Sequence, residues 1–266
     1  MIVILIPSRF EAKEFIAGLE GRRAFRVGEA DCVEGRGAGE VAVTVGIIGM
    51  GPPHAALRAK AVIEFVLGRD GSRSRPSSSS EFAEQTPRRG VPTLTENFGV
   101  ILCGFAGALK PELKRGDIFV TAGAEFLLPL LPEAERPSEA KLVTVDKLAG
   151  TAAGKAELFA RTGAWLCDME QAQIAPMVAA MNLPFIGIRI VSDEAHEELP
   201  TAQLSQAYDQ ETGTETPWKL AGHLARNPFR IGPLASFVRL LPPIRSRMSD
   251  RLHTWLRLTG PRLFQP

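Results

Sequence analysis

The most constraining stretch of this chain is Phe185-Ile186-Gly187-Ile188-Arg189-Ile190-Val191, a nearly unbroken apolar run followed by Ser192-Asp193. A run of this kind is expected of a strand covered on both faces, inside a layered α/β fold. Its carboxyl end is where open α/β sheets place ligand sites, so Asp193 is a candidate site residue. The preceding segment reads as a helix, because Ile174, Met177, Val178 and Met181 recur at helical spacing. Asn182-Leu183-Pro184 ends that helix, and Pro176 inside it is expected to kink it. Glu170 opens the helix directly after a second apolar run, Ala164-Trp165-Leu166-Cys167, so it too stands at a strand end. Two acids delivered to one edge of a sheet point to a site.

The rest of the chain repeats the alternation. Residues 2–6 read as a strand that turns through Pro7-Ser8-Arg9-Phe10 into a helix bearing Glu11, Phe15, Ile16 and Leu19. Strands are expected at Val41–Ile48, Gly99–Cys103 and Ile118–Thr121, helices at 55–67 and 155–161, and an irregular loop at 127–140. Strands and helices alternating on this scale imply a three-layer α/β/α sandwich around a central mixed sheet. This body spans 1–217. Within it, residues 68–97 are rich in Ser, Arg, Pro and Gly without a periodic apolar face, and read as a surface insertion.

Several classes of function find no support. A chain of 266 residues with 45% hydrophobic content can bury a large core without disulfides. Cys32, Cys103 and Cys167 lack metal-ligand spacing, and no CxxC, HExxH or histidine cluster occurs, so neither a metal nor a cofactor is indicated. The opening MIVILIP is too short for a signal peptide, and no apolar run reaches the roughly 20 residues that span a bilayer. A cytoplasmic protein is the default expectation.

Three ordered motifs carry a resemblance. Asp168-Met169-Glu170 is followed about two dozen residues later by Ser192-Asp193. Gly46-Ile47-Ile48-Gly49-Met50-Gly51 precedes His54-Ala55-Ala56, and Gly104-Phe105-Ala106-Gly107-Ala108-Leu109 precedes Lys114-Arg115-Gly116-Asp117-Ile118. In this order they resemble the nucleoside phosphorylase and nucleosidase family, which includes purine nucleoside phosphorylases and methylthioadenosine/S-adenosylhomocysteine nucleosidases. The resemblance implies that Gly46–Gly51 and Gly104–Leu109 are the family's first and second glycine turns, that the substrate is a small-molecule purine nucleoside, and that the assembly is a homo-oligomer. It assigns the leaving base's proton to Asp193, the ribose hydroxyls to Glu170 with Met169 as an apolar floor, and a water to Glu11. Ser192, Phe105, Ala106 and Gly107 would line the same site. Taken alone, Glu11 reads as a solvated acid near a helix amino end.

Departures from the family pattern bear on the nucleophile. Hexameric bacterial phosphorylases carry Arg-x-Gly-Ser where this chain has Leu102-Cys103-Gly104-Phe105, and neither leucine nor phenylalanine can bind phosphate. That favours water, although Arg9 could serve a phosphate and keeps a phosphorolytic alternative open. Phe105 also replaces a small or hydroxyl residue of the hydrolases, and glutamines stand at 171 and 173 where small residues are common. A catalytically silent nucleoside-binding or membrane-surface protein is the alternative from a different class.

The carboxyl-terminal extension, residues 218–266, has its own character. From Trp218 onward nine basic residues face one acid, Asp250, giving +8; the whole chain is +1, so residues 1–217 carry −7. Residues 234–241 and 248–258 could form short amphipathic helices. Basic residues among Trp218, Phe229, Phe237, Trp255 and Phe264 suit a peripheral contact with the inner membrane surface or an acidic partner. A packing element with solvated arginines is the plainer reading, and no base-reading module points to nucleic acid. Glu198-Leu199-Pro200-Thr201-Ala202 and this tail resemble one branch of the family, the hopanoid-associated phosphorylase-like proteins, which implies an adenine nucleoside linked to a lipid.

Overall fold

The computed structural model describes residues 1–71, 98–207, 216–226, 229 and 231–264. Among the described residues ten strands form one mixed sheet: β1 (Ile2–Ile6), β2 (Glu20–Val27), β3 (Ala30–Arg36), β4 (Ala42–Ile47), β5 (Gly99–Ala108), β6 (Ile118–Ala122), β7 (Ser138–Glu139), β8 (Leu142–Thr144), β9 (Leu166–Asp168) and β10 (Phe185–Asp193). Their order is β2-β3-β4-β1-β5-β10-β6-β7, with β9 pairing β5 and β8 pairing β9. The centre, β4-β1-β5-β10, is parallel, so four strands deliver their carboxyl ends to the same edge. Strands β2, β3, β6 and β9 add antiparallel pairings around it.

Side-chain alternation sorts the core into two layers. Ile2, Ile4 and Ile6 face one hydrophobic cluster and Val3 and Leu5 the other, as the two-residue period of a strand requires. In β5, Ile101 and Cys103 face the first cluster, Val100 and Leu102 the second. The first layer is covered by α1 (Arg9–Ala17) and the long α8 (Ile231–Thr259), the second by α2 (Pro52–Gly71) and α5 (Gln171–Ala180). The remaining helices are α3 (Ala124–Leu127), α4 (Ala152–Thr162), α6 (Thr201–Ala207) and α7 (Pro217–Arg226). The three-layer sandwich with its mixed sheet is therefore observed.

Element boundaries differ from the sequence reading for identifiable reasons. The hairpin β2–β3 went unread because β2 is mostly exposed at the sheet edge and has no apolar period to betray it. Helix α1 ends at Ala17 with Gly18 as its cap, so Leu19 joins the core from beyond it. The 127–140 segment holds two 3₁₀ turns and the two-residue β7. Residues 72–97 of the expected insertion lie outside the described residues, and Gly68–Gly71 end α2.

The tail expectation changes most. One 29-residue helix, α8, replaces two short ones and continues through Pro242 and Pro243. Leu241, Ile244, Met248, Leu252, Trp255 and Leu256 share a cluster with β1 and α1, joined by Leu263 and Phe264. Its charges are matched as well. Arg245 is buried against Glu14 and lies 4.3 Å over the Phe10 ring, and Arg251 pairs with Glu135. Trp255 and Phe264, read as interfacial, are 3% and 6% exposed and belong to the core.

One charged side chain sits in the middle of the sheet. The β10 alternation sends Ile186, Ile188 and Ile190 to the first layer and Arg189 to the other side, where it has no exposed surface. It pairs with Asp168 at 2.5 Å and donates to Leu102 O at 3.1 Å and Ile188 O at 2.9 Å. Asp168 in turn accepts from Thr144 Oγ1 at 2.5 Å and from the Gln171 amide at 3.0 Å. Removing one partner strands a buried charge, so Arg189→Met is expected to lower unfolding free energy by about 3–5 kcal/mol. Urea denaturation followed by far-ultraviolet circular dichroism measures this; a loss below about 1 kcal/mol, the range of exposed pairs, would show that the pair carries little.

Candidate active site

Three buried carboxylates stand at the carboxyl edge of the parallel strands: Glu11, Glu170 and Asp193, with exposures of 6%, 4% and 3%. Glu11 follows β1 in the first turn of α1, whose amino end is capped by Ser8. The Ser8 hydroxyl donates to Glu11 Oε1 at 2.8 Å, and the Phe105 backbone N–H donates to Oε2 at 2.8 Å. The expectation of a solvated acid at a helix end therefore does not describe it. A carboxylate held by two donors beside β5 is a fixed acceptor aimed at the sheet edge.

Glu170 lies between β9 and α5. Its Oε1 accepts from the Gly51 N–H at 3.2 Å, so the first glycine turn closes onto the acid of the Asp-Met-Glu triplet. Gly51 holds φ at +91°, a conformation that favours glycine. Burial pushes the Glu170 carboxyl up to about 8, and the negative charges of Asp168 and Glu11 add to this. The guanidinium of Arg189 and the Gly51 N–H oppose it without cancelling it. Met169 between these two acids is half-buried.

Asp193 ends β10 opposite Gly107 of β5. Ser192 Oγ stands 2.6 Å from Asp193 Oδ1 and 3.2 Å from Ala106 O, and its single hydroxyl proton serves the nearer acceptor. On the other side, Lys155 Nζ of α4 lies 2.5 Å from Oδ2. The stretch Gly104–Gly107, read as a turn, is straight strand, and its glycines are there for room. A Cβ on Gly104 would come 2.8 Å from Glu11 Oε2, and one on Gly107 would come 3.2 Å from Asp193 Oδ2 and Cys167 Sγ. Burial pushes the Cys167 and Cys103 thiols up to about 12, so both stay protonated.

Of the residues singled out from sequence, Ser192, Ala106, Gly107 and the Phe105 backbone join the three acids. Arg9 does not. Its side chain, 66% exposed, turns to Asp31 on β3, and the position where phosphorylases carry arginine is the buried Leu102. The Phe105 ring packs edge-on against Phe10 at 6.4 Å. Three residues were given no role: Lys155, Arg189 and Asp168, which was read only as the first residue of the Asp-Met-Glu triplet. The signal for Arg189 was a lone cation in an apolar strand, which demands a buried acid. Lys155 gave none, since a lysine in a helix ordinarily faces water. Clefts of about 420 Å³ beside Thr121, Lys141 and Trp165, and of about 460 Å³ beside Arg9, Phe25 and Asp31, lie away from these acids.

The mixed sheet with its parallel centre is shared with known structures, and the resemblance read from three motifs holds at the level of the fold. The chain superposes on methylthioadenosine/S-adenosylhomocysteine nucleosidase from Campylobacter jejuni with a TM-score of 0.63 and 14% identity, over 96% of this chain and 98% of that one. The S-adenosylhomocysteine nucleosidase of Streptococcus pyogenes in complex with 5-methylthiotubericidin gives 0.61 and 14%, over 96% and 95%. The futalosine hydrolase of Helicobacter pylori gives 0.61 and 14%, over 96% and 96%. Neither a protein-family model nor a curated protein sequence matches the chain. At these identities the likeness establishes the fold.

The raised Glu170 carboxyl links stability to pH. Between its unfolded value near 4.5 and its folded value of about 8, the folded state holds a proton that the unfolded state has released. Stability from this group is therefore complete below about 4.5 and falls as pH rises through 8, at about 1.4 kcal/mol per unit while the difference lasts. Glu170→Gln should flatten this slope and be more stable than the parent above pH 8. Urea midpoints at pH 5, 7 and 9 test it; parallel slopes in both proteins would refute it.

Proposed function

We propose that this protein is a purine nucleosidase that hydrolyses the N-glycosidic bond of an adenine nucleoside. The observation that carries the reading is the convergence of Glu11, Glu170 and Asp193, all buried, at one edge of a fold shared with adenine nucleosidases. As the C1′–N9 bond breaks, its electron pair moves into the purine and Asp193 gives a proton to N7. Glu170, carrying a proton near neutrality, holds the ribose hydroxyls as both donor and acceptor. Glu11, fixed by Ser8 and Phe105, orients the water that attacks C1′ and takes its proton. Water is preferred to phosphate because the apolar Leu102 fills the arginine position and Arg9 is engaged by Asp31. A 5′-substituted nucleoside is the favoured substrate, since structural relatives are named for methylthioadenosine, S-adenosylhomocysteine and futalosine. Lipid attachment is the finer form of this reading and rests on the tail.

Asp193→Asn should lower kcat by about a hundred- to ten-thousand-fold with little change in binding, because the proton is needed in the transition state. Base release from adenosine, methylthioadenosine and a lipid-linked adenosine, with and without phosphate, checks both points. The expected sugar product is free, at a rate independent of phosphate. A mutant within a few-fold of the parent, or sugar 1-phosphate among the products, would overturn the respective assignment.

A peripheral membrane contact is favoured by what the tail leaves outside the core. Trp218 and Phe229 are 67% and 96% exposed, and Ile231, Val238 and Leu240 are also exposed, beside Lys219, Arg226 and Arg239. Each basic residue near an anionic surface contributes about 1 kcal/mol, within a Debye length of about 8 Å. The parent should bind phosphatidylserine vesicles, less so as salt rises, and Trp218→Ser with Phe229→Ser should weaken this without unfolding the protein. Equal binding by the parent to purely zwitterionic vesicles would count against the electrostatic part. Unchanged binding by the double variant would remove these side chains from the contact.

A further inference from the structure

Lys155 has no exposed surface, and its ammonium meets three oxygen atoms at the end of β10, two carbonyls by hydrogen bonds and the Asp193 carboxylate as an ion pair. It touches Asp193 Oδ2 at 2.5 Å and donates to Glu194 O at 2.8 Å and Glu197 O at 3.1 Å. Lysine is almost never fully buried unless paired. Its partner here is the carboxylate that base departure asks to give up a proton. The neighbouring cations are committed elsewhere. Arg115 holds Ser192 O at 2.9 Å and the Glu197 carboxylate, and Lys114 pairs with Glu194, which His196 also approaches. From β9, the Cys167 thiol faces the pair but keeps its own proton.

We propose that Lys155 is a positioning residue that loads Asp193 with the proton handed to the leaving purine, an inference that rests on the nucleosidase reading. An N–H bond of Lys155 breaks as an O–H bond forms on Asp193 Oδ2, converting the ion pair into an amine and a carboxylic acid. That O–H bond breaks as N7–H forms, and the C1′–N9 electron pair passes into the base. The proton shed by the attacking water balances the one taken from Lys155. Contacts to Glu194 O and Glu197 O keep the ammonium in place while its third proton moves.

The test compares pH profiles of kcat and KM for the parent, Lys155→Arg and Lys155→Met acting on methylthioadenosine. Arginine keeps the charge but does not surrender a proton. Lys155→Arg should therefore lose about a hundredfold or more in kcat, with KM within about threefold of the parent. In Lys155→Met the proton must reside on Asp193 alone, so the alkaline limb of kcat/KM should move down by about one pH unit or more. An arginine variant within about threefold of the parent in kcat, or a methionine variant reduced equally at every pH, would leave Lys155 only holding charge or the turn and would overturn the proposal. A parent that releases no base sinks the nucleosidase reading and this inference with it; an active parent with either outcome above sinks this inference alone. Should neither variant fold by circular dichroism, a proton inventory on the parent decides. Curvature is expected for two protons in flight, and a straight line overturns the relay.

Discussion

A guanidinium without exposed surface sits in the central strand of the sheet, and the arrangement of the site follows from satisfying it. Arg189 cannot remain in an apolar layer alone, so Asp168 must end β9 directly behind it. That requirement brings the antiparallel β9 against β5 and sets the start of α5. Glu170, two residues further on, then has to lie at the same edge as Asp193. Burial is the first reason that Glu170 holds its proton; the negative charge of Asp168 adds to it, and the Arg189 guanidinium opposes it.

The parallel centre of the sheet does the rest. Strands β1, β5 and β10 point the same way, so Glu11, which follows β1, the Gly104–Gly107 segment within β5 and Asp193, which ends β10, gather at one edge. Glycines at 104 and 107 allow this closeness, since a methyl at 104 would collide with the Glu11 carboxylate and one at 107 would crowd that of Asp193. The acids then take different partners. Glu11 accepts from a hydroxyl and an amide, Glu170 from an amide, and Asp193 contacts an ammonium. Carboxylates with such distinct surroundings can take distinct proton-handling roles.

The basic tail shows how a charge imbalance in sequence can be internal. A −7 body and a +8 extension attract one another, and the inner half of α8 places arginines on Glu14 and Glu135 while its leucines and Trp255 complete the layer over β1 and α1. What remains uncovered is Trp218 on α7, Phe229 between α7 and α8, and one face of the first turns of α8 with Ile231, Val238 and Leu240, while Leu234 on the same turns is buried. Composition alone treats the two halves alike; packing separates them.

The central strands, the three motifs and the three acids were legible from sequence, because a doubly covered strand must be apolar along its length and the residue after it must reach the sheet edge. Residues 185–193 determined a buried strand ending in an acid, and nothing in the structure moved it. Edge strand β2 was illegible because it is exposed along most of its length and therefore has no apolar face to give it a period. The straight course of Gly104–Gly107 was illegible too, since glycine signals both turns and close approach, and only the neighbouring Glu11 and Asp193 distinguish them. Arg9 beside Glu11 in sequence but turned to β3, and Lys155 buried on Asp193 from 38 residues away, were decided by tertiary structure alone. Periodicity reports which face of an element is dry; which partner a buried charge finds depends on where another element happens to cross.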